Sequence, residues 1–190
     1  LPAIEHIENA HFKTVLIDAR TDEPVVPNGA LGHRFGETGA GRWNLDLEGV
    51  DPKLSLIDTT HDSVLVELPR FDNVDGDAGS MPRGVPVRRV GEHLVTTVYD
   101  LMLAQYGVGR EGLPGEWAGG YDDATAPYTP AWQESITGVP AQAAARIARE
   151  FAANAEESKG RSMILMGAGT NHWFHSDTIY RTFLALTTLT

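Results

Sequence analysis

The spacing of apolar positions changes once along this chain. Up to about Thr97 they come in short β-branched runs separated by turn residues, at 14–17, 24–26, 54–57, 63–68, 85–90 and 94–97, the pattern of brief strands. Gly91-Glu92-His93, between the last two runs, suits a three-residue hairpin. The Asp-, Gly- and Pro-rich stretch 70–84 predicts an exposed loop. Beyond Thr97 the period lengthens. Thr97 with Asp100 three residues on resembles a capping box ahead of a helix over 98–106, and Gly107 stands where such a helix stops. A Gly-, Asp- and Pro-rich connection covers 109–130. Pro140 then sits at a tolerated first helical position, and Ala144, Ile147, Ala148, Phe151, Ala152 and Ala155 fall at steps of three and four on one apolar stripe. Gly160 ends that helix. Residues 162–166 read as a short buried strand, Gly167-Ala168-Gly169 as a turn, and Ser176 or Asp177 as the cap of a last helix that runs to the end.

These elements predict an α/β protein with a β-hairpin-rich segment over 1–97, followed over 98–190 by a helix-strand-helix, Rossmann-like unit. Both segments are expected to be incomplete parts of a larger protein. The chain opens on Leu1 rather than methionine, and the apolar run at 183–190 has no Gly, Asn or Pro to close it.

Composition narrows the function classes. A hydrophobic share of 42% and a charged share of 22% over 190 residues are those of an ordinary globular domain. A net charge of -11 disfavours nucleic acid as a partner, because neutralising phosphates requires clustered Lys and Arg. Without cysteine these residues form no disulfide and ligate no iron-sulfur cluster. No apolar run reaches the roughly 18 to 20 residues that cross a bilayer, and no leader pattern opens the chain.

The most informative chemistry lies at 167–175. In open α/β sheets a ligand sits beyond the carboxyl end of a strand, where the next helix offers unpaired N–H groups. Gly167 and Gly169 allow close approach there, and Asn171, His172, Trp173 and His175 add polar donors and a stacking face. The same glycines equally suit a tight structural turn. His172 stands where a dinucleotide fingerprint needs its third glycine, so an ordinary NAD site is not supported. His172 and His175 are three apart, but no carboxylate motif completes a metal site, and none is assigned. The glycine spacing of 36–43 fails as a phosphate loop because Arg42 and Trp43 replace Lys and Ser/Thr. The acidic stretch 72–77 fails as a calcium loop at Val74 and Ala78. A GxSxG nucleophile motif is also missing.

Several runs, in order, resemble one family. They include Gly41-Arg42-Trp43-Asn44-Leu45-Asp46-Leu47, Val85-Pro86-Val87-Arg88-Arg89-Val90, the stretch from Leu94 to Gly107, Tyr128-Thr129-Pro130-Ala131-Trp132-Gln133-Glu134, Ile147-Ala148-Arg149-Glu150-Phe151-Ala152, and Gly167-Ala168-Gly169-Thr170-Asn171-His172-Trp173-Phe174-His175. The set is similar to the respiratory nitrate reductase alpha subunit and covers most of the chain after about Val25.

This resemblance implies part of the molybdopterin oxidoreductase fold, in which α/β domains enclose a molybdenum bis(molybdopterin guanine dinucleotide). It implies Gly167, Gly169, Asn171, His172 and His175 as cofactor contacts, with Trp173 packing beside them. The parent subunit would also carry a [4Fe-4S] cluster, held by residues outside this stretch. The molybdenum ligand is expected outside it too, because none of Asp46, Asp100, Asp122 and Asp123 lies in the family's ligand motif, and the catalytic residue is left unassigned. The implied activity is reduction of nitrate to nitrite in anaerobic respiration, with electrons from quinol through iron-sulfur centres. The implied partners are an iron-sulfur beta subunit and a haem-containing membrane gamma subunit, which would hold the enzyme at the cytoplasmic face of the membrane. The isolated polypeptide is expected to be inactive. Two alternatives stand beside this reading: a related molybdoenzyme acting on chlorate, perchlorate or selenate, and a non-catalytic interaction module whose glycine turn is structural.

Overall fold

Strand β3 (Ser63–Pro69) and strand β4 (Ser80–Pro86) pair antiparallel over seven residues, from Ser63 opposite Pro86 to Pro69 opposite Ser80. They belong to a computed structural model that describes residues 16–25, 49–58, 62–70 and 79–190. The expected strand residues 14–15 and 26, the stretches 36–43 and 72–77, and the run from Gly41 to Leu47 lie outside the described residues. The chain forms two compact units, Leu1–Trp117 and Ala118–Thr190.

In the first unit β4 is the most buried strand. Its second edge is covered by residues 114–116. The Gly84 N–H donates to the Pro114 carbonyl at 2.6 Å, the Glu116 N–H donates to the Pro82 carbonyl at 2.9 Å, and Arg83 bridges Gly115. Residues 80–84, expected as exposed loop, are therefore strand, paired with β3 on one side and bridged at 82–84 by residues 114–116 on the other. Glycine here permits close backbone approach rather than a turn. A Cβ on Gly84 would lie 2.5 Å from the Pro114 oxygen, and one on Gly115, whose φ is +124°, would lie 2.6 Å from the Pro82 oxygen.

Two smaller antiparallel pairs complete the strands: β1 (Leu16–Ile17) with β2 (Pro24–Val25), and β5 (Arg88–Val90) with β6 (His93–Val95). Val90 pairs with His93, so the last hairpin turns on two residues, Gly91 and Glu92, and not on the expected three. Residues 54–57 do not form the strand their branched side chains suggested. The Leu56 N–H is taken by the Asp100 carboxylate at 2.9 Å, which leaves it no ladder to join.

Helix α1 (Val98–Gln105) begins as its sequence predicts. The Thr97 hydroxyl accepts from the Asp100 N–H at 2.9 Å, and Gly107 follows the helix at φ +81°. Strand gives way to helix at 97/98, but α1 packs on β4 and so stays within the first unit.

The second unit begins with a helix that the sequence reading missed, α2 (Pro130–Thr137), which packs on α3 (Ala141–Ser158). Pro140 stands at the N-cap of α3, one position before the one expected for it. Lys159 and Gly160, both left-handed, stop α3. Along its apolar stripe Ala155 is buried, whereas Ile147, Ala148 and Ala152 are exposed.

Residues 162–166 then run without any ladder, contrary to the expected buried strand. Among the described residues of this unit there is no strand to pair with, and a lone strand buries neither its amides nor its side chains. Four-residue α4 (Ala168–Asn171) and α5 (Ser176–Leu189) follow. The cap of α5 is His175, at φ +64° and with no side-chain cap bond, instead of Ser176 or Asp177. The described residues are thus a mixed α/β structure with small antiparallel sheets, and the helix-strand-helix unit lacks its strand ladder.

Candidate functional site

Among the described residues the segment leading to α4 is held to α3 by hydrogen bonds at Ser162. The Ser162 hydroxyl donates to the Phe151 carbonyl at 3.1 Å and accepts from the Asn154 amide at 2.8 Å. Beyond that tether Met163 is 74% exposed and Leu165 84%, while Ile164 between them is half-buried. Gly167 is extended at φ -146° and caps α4, whose first bond runs from the Thr170 N–H to the Gly167 carbonyl at 3.0 Å. Neither Gly167 nor Gly169 has the positive φ that favours glycine, and a Cβ on either would meet nothing within 4 Å. No local demand within the described residues accounts for glycine at these two places.

The other expected contacts follow within one short stretch. Asn171 ends α4, and its side-chain oxygen accepts a hydrogen bond from the Tyr180 hydroxyl on α5. His172 terminates α4 at φ -89°. His175 adopts the left-handed conformation, which for a residue with a side chain is costly unless its surroundings hold it there. Its ring lies edge-on to Phe174 at 4.3 Å between centroids. Trp173 is 71% and Phe174 87% exposed. Gly167, Gly169, Asn171, His172 and His175 thus lie along one short stretch and are all exposed. Among the described residues no group of three or more His, Asp or Glu could hold a metal ion. The segment can offer main-chain and carboxamide donors, imidazole nitrogens and aromatic faces, all without formal negative charge.

The aspartates named in the sequence reading are otherwise engaged, save Asp46, which lies outside the described residues, and Asp122, which is exposed. Asp100 is fully buried. Its carboxylate accepts from the Ser55 hydroxyl at 2.6 Å, Leu56 N–H at 2.9 Å, Arg110 at 2.6 Å and Thr97 hydroxyl at 2.8 Å. Burial pushes the Asp100 carboxyl up, but Ser55, Leu56, Arg110 and Thr97 together outweigh burial and hold it below its ordinary value. Asp123 organises the loop before α2. It accepts from the Thr125 hydroxyl at 2.6 Å and from the Gly119, Thr125 and Ala126 N–H groups at 3.0, 3.0 and 3.2 Å, which lowers its pKa to about 2. Both carboxylates hold structure. Sequence reasoning saw Asp100 only as a capping residue; its second role depends on Ser55, Leu56 and Arg110, which no local pattern connects to it. Tyr180 was missed altogether, since a tyrosine inside a helix carries no sequence signal for a bond nine residues back.

No family model matches this chain, and no solved structure matches it. Curated proteins do. It is 60% identical over 98% of its length to the "Nitrate reductase alpha subunit" of Mycobacterium tuberculosis, covering 16% of that protein. It is 41% identical over 94% of its length to the "Respiratory nitrate reductase 1 alpha chain" of Escherichia coli, again covering 16%. A shorter match, 44% identical over 33% of the chain and 6% of the relative, is to the "Perchlorate reductase subunit alpha" of Dechloromonas aromatica. The chain therefore spans about one sixth of the length of the two nitrate reductase subunits. Among the described residues no helix is long and apolar enough to cross a membrane.

Proposed function

We propose, from the premise that this chain belongs with the nitrate reductase alpha subunits over the stretch it shares with them, that it is a segment of a molybdenum-dependent catalytic subunit that reduces nitrate to nitrite. The observation that carries this reading is 60% identity over 98% of the chain, a span that takes in the exposed 167–175 segment. The perchlorate reductase relative matches one third of the chain, which favours nitrate over perchlorate as the substrate of the whole subunit.

The segment's chemistry suits one wall of a pterin dinucleotide site. A pyranopterin and a guanine present many hydrogen-bonding edges, and a neutral wall of amides, a carboxamide and imidazoles complements them without repelling the phosphates. Two glycines whose missing side chains face open space leave the main chain approachable there. In this reading the amides of Gly167 and Gly169, the Asn171 carboxamide and the His172 and His175 rings bind the cofactor, and Trp173 packs beside it. When bound, the molybdenum centre supplies the two-electron oxygen-atom transfer chemistry. The residues here position and exclude water. The metal ligand and the [4Fe-4S] cluster are contributed by other parts of the subunit.

The respiratory relative's description as an alpha chain supports a multi-subunit assembly. We extend it to an iron-sulfur beta subunit and a haem-containing membrane gamma subunit that seat the enzyme on the cytoplasmic face of the membrane, with quinol as electron source. The test is His172→Ala in the full-length subunit. Purified enzyme is expected to lose molybdenum and pterin and, with them, viologen-linked nitrate reduction, while subunit assembly persists. Full cofactor content with unchanged activity would contradict the site. Absence of molybdenum, pterin and nitrate reduction in the unaltered enzyme would contradict the function.

A further inference from the structure

The site proposed above needs its one carboxamide to face outward in a single orientation. A terminal amide rotates freely unless one end is held. The Tyr180 hydroxyl donates to the Asn171 side-chain oxygen. That bond engages the oxygen and leaves the two N–H donors of Asn171, an exposed residue, available to a ligand. It is the one side-chain hydrogen bond joining α4 and α5 among the described residues.

The backbone is arranged to permit it. α4 stops at His172, and the Trp173 N–H returns to the Thr170 carbonyl at 3.4 Å. The Ser176 N–H reaches the Trp173 carbonyl at 3.2 Å, and left-handed His175 redirects the chain so that α5 comes back beside α4. Tyr180, in the second turn of α5, is half-buried, while the segment it braces is exposed.

We infer that Tyr180 is a positioning residue, whose phenol hydroxyl sets the Asn171 carboxamide so that its N–H groups donate to the pterin dinucleotide. This rests on the cofactor reading of the 167–175 segment. Tyr180 itself does not touch the cofactor. Its effect passes entirely through Asn171, so the two residues act as a unit.

The experiment uses full-length subunit variants purified from cells that make the cofactor. Pterin per protein is measured from the fluorescence of the oxidised, released pterin, and melting temperature is measured on the cofactor-free form. Tyr180→Phe and Asn171→Ala are each expected to lower pterin occupancy by a similar factor, roughly two- to tenfold for one oriented hydrogen bond. The double variant is expected to fall no further than Asn171→Ala alone, with melting of the cofactor-free form unchanged in all three. Asn171→Asp, which keeps an acceptor for Tyr180 and removes both donors, is expected to lose occupancy as well.

If the bond merely braces α4 against α5, Tyr180→Phe will lower the cofactor-free melting temperature, which overturns the assignment, as does wild-type occupancy in Asn171→Asp. Additive losses in the double variant overturn it too. Wild-type occupancy in both single variants overturns the role of this pair and leaves the cofactor reading standing. Unaltered protein that carries no pterin overturns the reading itself.

Discussion

Two glycine-containing regions of this molecule differ in what their glycines are for. Around β4, Gly84 and Gly115 are required by the fold, since a side chain on either would strike main-chain atoms at 2.5–2.6 Å. The neighbouring polar groups are consumed internally, with the Arg83 guanidinium on the Ala104, Gln105 and Glu116 carbonyls and the Asp100 carboxylate ringed by Ser55, Leu56, Thr97 and Arg110. In the 162–175 segment a Cβ on Gly167 or Gly169 would meet nothing within 4 Å among the described residues, and Met163, Leu165, Trp173 and Phe174 are exposed. A region that satisfies itself is scaffold. A region whose composition nothing local among the described residues explains is where we propose that a ligand rests.

The largest test of that contrast is Asp100→Ala. It strands the Arg110 guanidinium, whose Nε and Nη2 are already buried without a hydrogen-bond partner among the described residues. Loss of one member of a buried pair costs about 3–5 kcal/mol. Chemical denaturation should show a loss of that size, and a loss below about 1 kcal/mol, the scale of an exposed pair, would remove Asp100 from the scaffold.

Next come the glycines. Gly84→Ala and Gly115→Ala should each destabilise by about 1–3 kcal/mol through overlap with the facing backbone. Gly167→Ala and Gly169→Ala should change stability by no more than about 1 kcal/mol, in either direction, yet lower pterin content in the full-length subunit. Equal stability losses at both pairs would erase the comparison.

The smallest effect is on acid stability. Hydrogen bonds from Thr125, Gly119 and Ala126 lower the Asp123 carboxyl to about 2 in the folded chain against an ordinary 3.8, so the contribution of its loop is complete above the ordinary value and is lost as pH falls toward the lowered one. Asp100, also held below its ordinary value, acts with the same sign. In an acid titration Asp123→Asn should flatten the slope between pH 3.8 and about 2. An unchanged slope would show that Asp123 is not held by Thr125, Gly119 and Ala126.

How far these two regions could be read from sequence follows the same division. Helices α1 and α3 were legible because their caps and stops are local: Thr97 with Asp100, Gly107, Pro140 and Gly160. Helix α2 was equally open to reading, with Thr129 as N-cap, Pro130 at its start and Gly138 left-handed at its end, but the Gly- and Pro-rich context around it looked like loop. Strand β4 was misread because Pro82 and Gly84 resemble turn residues until Pro114 and Gly115 are seen against them, about thirty residues on. The apolar content of 162–166 suggests a strand, but Met163, Leu165 and Met166 are exposed, and among the described residues of this unit there is no strand to pair with. The five cofactor residues came from family resemblance. Local spacing supported only a turn able to hold a ligand, and the Tyr180 bond on Asn171 became visible only in three dimensions.

The most direct measurement is amide hydrogen exchange on the full-length subunit with and without its pterin cofactor, followed in peptides covering 162–175 and 98–106. Bound cofactor should slow exchange strongly across 162–175 and leave 98–106, already closed around Asp100, unchanged. Equal exchange across 162–175 in the two forms would contradict the claim that this open segment is the wall on which the cofactor rests.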